Sequence, residues 1–472
     1  MALKICCAEG GGMADHGFRM SPIAPPILDP RFPLAERPRL RVAVTTFGLS
    51  PIRGSEAAIA WQHVSRLAKY HDIVALSFPG LRGEIREECA KYFAEKGPVP
   101  GLTIEFIEPP PFARALEKNS SSLLRAFISV GNRSWQRAAF ERVQVLHAEK
   151  PFDAVHQMTI TGYREPGFLW KLGVPFFWGP VAGASDVPFR YFPLMGWRDR
   201  IAYGARNIAN WIQMRIAPRP RKAARAASEI WAVGPDNTDL ITGMWGVPST
   251  HIYECAAWPP KPDQAVKTFK PGEKLRLVTA GYLVGRKAIP IVLHSLALVG
   301  DKVPWEYTVM GHGPEKERWI ALGNKLGLGE RVRWIDNLPH AQALAEIQSN
   351  HVFAFPSLKE GTSSVVPESF TMGLPVICHD RCGMSLMVND SCGIKVPPRG
   401  PDASARGFAD AIIRLATTEG EVERLSRGAL VRASQVTWDA NAQMMAEAYW
   451  QHAMDHPTGK APASHIPQMR VA

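Results

Sequence analysis

The sequence predicts an α/β protein made of two doubly wound, Rossmann-like domains with parallel sheets. At 472 residues the chain exceeds what one hydrophobic core usually supports, so two domains are expected. From Leu40 onward, apolar runs too short for helices alternate with segments of helical period. Such strand–helix alternation argues parallel sheets covered by helices on both faces. Residues 217–227, APRPRKAARAA, carry two prolines and few large apolar side chains, which suits a joint between domains. No fixed-period repeat occurs, which excludes a solenoid.

Residues 1–37 mix Gly10 to Gly12 with several prolines and lack core-forming periodicity, so a disordered extension is expected there. The first domain is then expected over 38–217. It begins with a strand at Leu40 to Thr45, the loop Thr46 to Gly54, and a helix capped by Ser55 with Ala58, Ile59, Trp61, Val64 and Leu67 facing inward. A strand returns at Asp72 to Ser77. Helix follows at Arg82 to Lys96, strand at Thr103 to Ile107, a break at Pro109-Pro110-Pro111, and a long helix from Ser122 to Lys150. Ala154 to His156 reads as a short strand with Arg164 in the loop behind it, followed by GVPFFWGPVAG over 173–183. The second domain, expected over 218–436, places strands at Glu229 to Val233, Ile252 to Glu254, Leu275 to Ala280, Trp305 to Met310, Val332 to Ile335, Val352 to Phe355 and Leu374 to Cys378. Helices are expected between most of these, among them Ala288 to Leu298 and Glu315 to Leu326. A final helix is expected in 437–455 and a tail over 456–472.

One stretch concentrates the chemistry: VFAFPSLKEGTSSVVPESFTMGLPVIC, residues 352–378. Its strand ends at Pro356 and Ser357, Glu360 falls in the loop beyond, and Ser363 or Ser364 can cap a helix that tolerates Pro367 in its first turn. In a parallel sheet, ligands collect at the carboxyl ends of strands, where the backbone N–H groups of Gly361, Thr362, Ser363 and Ser364 suit a phosphate. Carboxylates beside a phosphate seat make sense as acceptors of sugar hydroxyl hydrogen bonds.

The run PSLKEGTSSVVPESF…GLPVI, with seven residues between Glu360 and Glu368, resembles the signature of family 4 retaining glycosyltransferases, group 1 enzymes of the GT-B superfamily. The resemblance implies a GT-B arrangement of two Rossmann-like domains facing a cleft, with the last helix crossing back to the first domain. It also implies that Glu360 contacts the transferred sugar and Glu368 the ribose. Lys287, in AGYLVGRKA, matches the family's phosphate-binding lysine. The family's arginine position is Tyr282 here, and Arg286 beside the lysine is a candidate to compensate. Arg331 to Leu338 resembles the segment that meets the nucleobase, with Asn337 in place of the usual glycine and Leu338 beside it. In the first domain, Arg53 and Gly54 lie in the loop that resembles the acceptor-side loop. Met158 stands where many relatives have a histidine, which leaves His156 and Arg164 as substrate candidates. Glu360, Lys287 and His156 are therefore the expected catalytic residues.

No Asp-x-Asp motif occurs to hold a divalent metal. Neutralising a diphosphate leaving group is then expected of Lys287, Arg286 and the loop amides. No metal and no cofactor are expected, the nucleotide sugar being a substrate. The resemblance implies a retaining, metal-independent transfer to a glycan or lipid-linked acceptor in polysaccharide or glycolipid synthesis. A nucleotide-sugar epimerase is the second enzymatic reading, and an inactive nucleotide-binding scaffold subunit the reading from another class.

Gly311-His312-Gly313-Pro314 fails as a dinucleotide fingerprint and reads as a βα turn near the donor. Cysteines at 6, 7, 89, 255, 378, 382 and 392 form no disulfide framework or paired zinc spacing. The formal charge is +11, and residues 190–225 hold nine Lys or Arg against the single acid Asp199, interleaved with aromatic residues. That stretch reads equally as a peripheral contact with an anionic membrane surface or as a solvated basic helix beside the donor site. No nucleic-acid-binding motif is present. No apolar run is long enough to span a membrane and the N-terminal region lacks a secretory apolar core, so a cytoplasmic location is expected, peripheral to the inner membrane face on the first of those two readings.

Overall fold

The computed structural model of the protein describes residues 34, 37–80, 82–110 and 125–455. Apart from Leu34 and Arg37, the expected N-terminal extension lies outside the described residues, as do the tail, Pro111 and the start of the helix expected from Ser122.

The first sheet has seven parallel strands: β1 Arg41–Thr46, β2 Asp72–Ser77, β3 Leu102–Phe106, β4 Ala154–Gln157, β5 Phe176–Val181, β6 Glu229–Ala232 and β7 Thr250–His251, in the order β3-β2-β1-β4-β5-β6-β7. The second has six: β8 Leu275–Ala280, β9 Trp305–Met310, β10 Val332–Ile335, β11 Val352–Phe355, β12 Val376–His379 and β13 Gly393–Val396, in the order β10-β9-β8-β11-β12-β13. Both orders reverse direction at a first strand, the doubly wound pattern. The strands are apolar on both faces because helices cover both. Alternate side chains of β8 show this: Leu275 and Leu277 join one core, Val278 and Ala280 the core on the opposite face. In β1, Ala43 faces one layer while Val42 and Val44 face the other.

The first sheet does not stop at the expected boundary of 217/218. Pro218 opens the helix Pro218–Ala226, where a missing N–H costs nothing, and the chain then returns to the first sheet as β6 and β7. The strand expected at Ile252 to Glu254 lies past the sheet edge for the same reason: β7 ends at His251. The two connections between domains pair near Ala257, whose N–H donates to the carbonyl of Val436 at 2.7 Å. After Thr437, the helix Trp438–Asp455 packs on the first domain, with Ala442, Met445 and Tyr449 in one core with Val42, Val44 and Trp61. Asp439 holds it there through Arg66 at 3.1 Å and Lys69 at 2.5 Å.

The connection from β5 to β6 binds the two domains from the other side. Val187, Tyr191 and Met195 are built into the core of the second domain. Tyr191 and Ser404 share a hydroxyl–hydroxyl hydrogen bond of 2.7 Å, and the Gly285 N–H donates to Asp199 Oδ2 at 2.7 Å.

Truncating Tyr449, fully buried between the returning helix and the first sheet, leaves a cavity that neither side can close. Tyr449→Ala is expected to cost about 3–5 kcal/mol in urea unfolding. An unchanged midpoint would show that the returning helix is dispensable to the first domain.

Candidate active site

The order of the second sheet reverses between β8 and β11, which opens a crevice at their carboxyl ends. The loops after both strands meet there. After β8, the turn Gly285–Lys287 presents Arg286 and Lys287, and Ala288 takes a left-handed φ of 50° before the next helix, Ile289–Val299. After β11, the loop is stitched to that turn: the Leu358 N–H donates to the Arg286 carbonyl and Arg286 Nη1 donates to the Lys359 carbonyl, each at 2.8 Å. Glu360 follows. Its Oε1 accepts from Lys287 Nζ at 2.6 Å, from Ser357 Oγ at 2.9 Å and from Arg286 Nη1.

Burial opposes charge on Glu360, but Lys287 and Arg286 outweigh it and hold the carboxyl below its ordinary value, so it stays ionised. Burial pulls the Lys287 ammonium below its ordinary value, against the carboxylate that supports it. The ammonium also lies 5.0 Å from the centre of the Phe355 ring.

Gly361 to Ser364 lie against two other loops. A Cβ on Gly361 would fall 2.2 Å from Glu254 Oε2, and one on Gly383 would fall 2.1 Å from the Gly361 carbonyl oxygen. Thr362 Oγ1 accepts from the Glu254 N–H at 3.2 Å. Ser364 occupies the N-cap of the helix Val365–Thr371, but its side chain makes no cap bond, and Ser363 lies one residue before it. The expected side-chain cap is therefore absent at Ser364, and the first helix begins at Ser55 with Gly54 at its N-cap position. Glu368 lies on the first turn, and burial pushes its carboxyl up to about 7 against a Ser364 hydrogen bond.

Along the neighbouring strands, Tyr282 after β8 makes an edge contact with His312 after β9, at 5.1 Å between ring centres. His312 Nδ1 lies 2.8 Å from Asn337 Oδ1 after β10, with Leu338 following. Three exposed or half-exposed polar side chains thus form a ledge on one side of the crevice.

On the first domain the outcome is mixed. His156 is not a site residue. It is fully buried in β4; one ring nitrogen lies 2.6 Å from the Gly179 carbonyl and the other bonds Tyr449 Oη. The carbonyl can only accept, so Nε2 carries the proton and Nδ1 accepts from the tyrosine. Burial lowers the His156 imidazole to about 3. A strand-end histidine looks the same in sequence whether it faces a cleft or a packed helix. Met158 is likewise buried in that core. Arg53 is exposed and its guanidinium pairs with Glu88 at 2.8 and 2.9 Å, while Gly54 sits exposed beside it. Arg164 lies where the first domain meets the helix Trp197–Ile216, and donates to Asn210 and Gln213.

Several residues facing the crevice went unrecognised. Glu254 is one: burial and the nearby Glu56 push its carboxyl up to about 7, against hydrogen bonds from Thr161 and the Thr362 segment. Thr161 Oγ1 donates to Glu56 at 3.0 Å, which joins the first helix to this group. Tyr203, on the helix Trp197–Ile216, shares the field of Arg286, Arg206 and Glu360. Position carried a usable signal for Glu254, an acid just beyond a strand's carboxyl end; nothing in its own stretch marked Tyr203.

Residues 260–429, which hold Lys287, Glu360 and Glu368, match the family model described as glycosyl transferases group 1. Over that segment the chain is similar to group 1 glycosyltransferases. It is 29% identical over 139 residues to the D-inositol 3-phosphate glycosyltransferase of Corynebacterium diphtheriae, covering 29% of this chain and 32% of that one. The chain spans about a third of the length of the first curated relatives it matches. Sucrose-phosphate synthase from Thermosynechococcus elongatus superposes with a TM-score of 0.54 at 15% identity, over 88% of this chain and 99% of that one. Anabaena Alr3699/HepE in complex with UDP and glucose superposes with a TM-score of 0.53 at 14% identity, over 88% of this chain and 100% of that one. These likenesses establish the two-domain GT-B fold.

Glu254 and Glu368 supply a pH test. Each is raised from an ordinary 4.5 to about 7, so the folded protein holds protons that the unfolded chain has released across that window. Their contribution to stability therefore falls as pH rises from 4.5 to 7. Glu254→Gln and Glu368→Gln should match wild type near pH 4.5 and be more stable at pH 8, each by on the order of 1 kcal/mol. Equal stability at pH 8 would show that the carboxyls are solvated.

Proposed function

We propose that the chain is a retaining glycosyltransferase that moves a sugar from a nucleotide-sugar donor to a glycan or lipid-linked acceptor. The observation that carries this reading is the ionised Glu360 held by Lys287, Arg286 and Ser357 at the crevice of the second sheet. The carboxylate can accept hydrogen bonds from sugar hydroxyls while two cations beside it face a diphosphate. As the sugar–phosphate bond breaks, negative charge grows on the leaving diphosphate, and Lys287 and Arg286 are placed to neutralise it. Glu368 accepts from the ribose, and the Tyr282–His312–Asn337 ledge meets the base. No protein nucleophile is required: the acceptor hydroxyl attacks from the face the diphosphate leaves, and a phosphate oxygen takes its proton. Anabaena Alr3699/HepE, of similar fold, binds UDP with glucose, which supports a nucleotide-sugar donor.

A nucleotide-binding subunit without turnover is the second reading. The observation behind it is Tyr282, which stands exposed where the resemblance calls for an arginine.

The helix Trp197–Ile216 supports a membrane-facing role. Its buried residues are polar: Asn207 and Asn210 are hydrogen-bonded to the Val187 and Ala184 carbonyls. Its apolar residues point outward: Trp197 is 68% exposed and Ile216 70%, with Ile201, Ile208 and Trp211 on the same side. Arg198 and Arg215 stack on the two tryptophans. An inverted helix rimmed by arginine and tryptophan suits the headgroup layer of an anionic bilayer, which would bring a lipid-linked acceptor to the cleft. No helix among the described residues is long and apolar enough to cross a membrane.

The test of transfer is release of nucleoside diphosphate from a panel of nucleotide sugars, with membrane extract supplying acceptor. One donor should turn over in wild type, and Glu360→Gln should lower the rate by about a hundredfold or more. Turnover undiminished in that variant would refute the assignment, and nucleotide binding without any turnover would favour the second reading. For the membrane, Ile201→Glu with Trp211→Glu should abolish co-sedimentation with anionic vesicles; unchanged sedimentation would remove this part of the proposal.

A further inference from the structure

Lys359 precedes the central glutamate and has no role in the transfer described above. Its residue is 8% exposed, and its ammonium has no hydrogen-bond partner among the described residues. An unpaired ammonium removed from water costs several kcal/mol in a typical interior, so its persistence at this place calls for a counter-ion.

The surroundings identify the sign and the position. Arg381 donates through Nε to the Leu358 carbonyl at 2.6 Å and through Nη2 to the Asp186 carbonyl, which clamps the Lys359 loop to the first domain's connection. Asp186 Oδ1 accepts from Asn210 at 2.8 Å, and Asn210 Oδ1 accepts from Arg164. The groups that act on Lys359 are Arg206, Asp186, Cys382 and Arg164. Burial, then Arg206, lower its ammonium to about 8, which leaves it charged at neutral pH. Lys359, Arg164 and Arg206 therefore lie within one another's electrostatic reach with Asp186 as the nearby carboxylate, and that carboxylate is already engaged by Asn210. Arg206 itself is exposed, one residue before the buried Asn207 of the helix Trp197–Ile216.

We propose that Lys359, Arg164 and Arg206 form a phosphate-binding subsite at the seam between the domains, which holds a phosphate carried by the acceptor. This rests on the transferase reading for the word acceptor, but not for the site itself. The subsite is separate from the donor's diphosphate seat at Lys287 and Arg286. Lys359 is adjacent in sequence to Glu360, so an acceptor anchored by its phosphate there has a hydroxyl within reach of the transferred sugar. A dianionic phosphate matches the two net positive charges that remain after Asp186 is counted.

The test is thermal stability of the full chain with inorganic phosphate, for wild type, Lys359→Met and Lys287→Met. Phosphate should stabilise wild type and Lys287→Met. Lys359→Met should weaken that response about tenfold or more, and should itself be more stable than wild type without phosphate, because it removes an uncompensated charge. Loss of the response in Lys287→Met with retention in Lys359→Met would place the phosphate in the donor seat and overturn the proposal. So would no response in wild type, a less stable Lys359→Met, or an equal response to glucuronate, which would make the ligand a carboxylate. Vesicles containing phosphatidate separate this site from lipid headgroups: their binding should be the same in Lys359→Met as in wild type, and a loss there would assign Lys359 to the membrane surface instead. Nucleoside diphosphates run in parallel report on the donor reading alone. If they fail to bind while the Lys359-dependent phosphate response remains, the transferase reading falls and the phosphate site stands.

Discussion

A single carboxylate, Glu360, organises the crevice of the second domain. It draws Lys287, Arg286 and Ser357 onto one oxygen, and these come from two loops that follow neighbouring strands, β8 and β11. Burying two cations and one carboxylate together is tolerable only if all three are present, since loss of the carboxylate would leave two like charges facing each other in a poorly hydrated space. Ala288 takes a left-handed conformation immediately after Lys287, where a non-glycine residue carries a conformational cost.

The two domains are held on both flanks of this crevice. On one, the helix Trp438–Asp455 is fixed to the first domain by the Asp439 ion pairs and by Tyr449, whose hydroxyl is met by His156. On the other, the helix Trp197–Ile216 and the segment before it reach the second domain through Tyr191, Asp199 and Asp186. That helix joins two tasks: its start and inner face close the seam, and its apolar face is left outward.

Much of this was legible in the sequence because it depends on local pattern. The strand limits at β2, β8, β9, β10 and β11 follow from short apolar runs bounded by Gly, Pro or Ser, and the family resemblance singled out Glu360 and Lys287, though not their pairing. What was not legible depends on tertiary partners. His156 looks like a site residue until Tyr449 and the Gly179 carbonyl appear beside it. Pro218 and Pro220 look like a linker, yet proline also opens helices, and only the pairing of β6 with β5 shows that the chain has not left the first domain. Met158 marks where a family pattern departs, and its burial accounts for the departure: the position is occupied by core. Glu254 and Lys359 gain their properties from burial against other loops, which no stretch of their own sequence encodes.

The dependence of the crevice on the Glu360 triad is most directly measured by a double-mutant cycle in urea unfolding of the unliganded protein, with Lys287→Met, Glu360→Gln and the pair combined. A buried, mutually compensating pair should show coupling of about 1–3 kcal/mol, with the double variant more stable than the sum of the single losses implies. Additive losses, with coupling near zero, would mean that carboxylate and ammonium are separately solvated and that the crevice is not organised by their interaction.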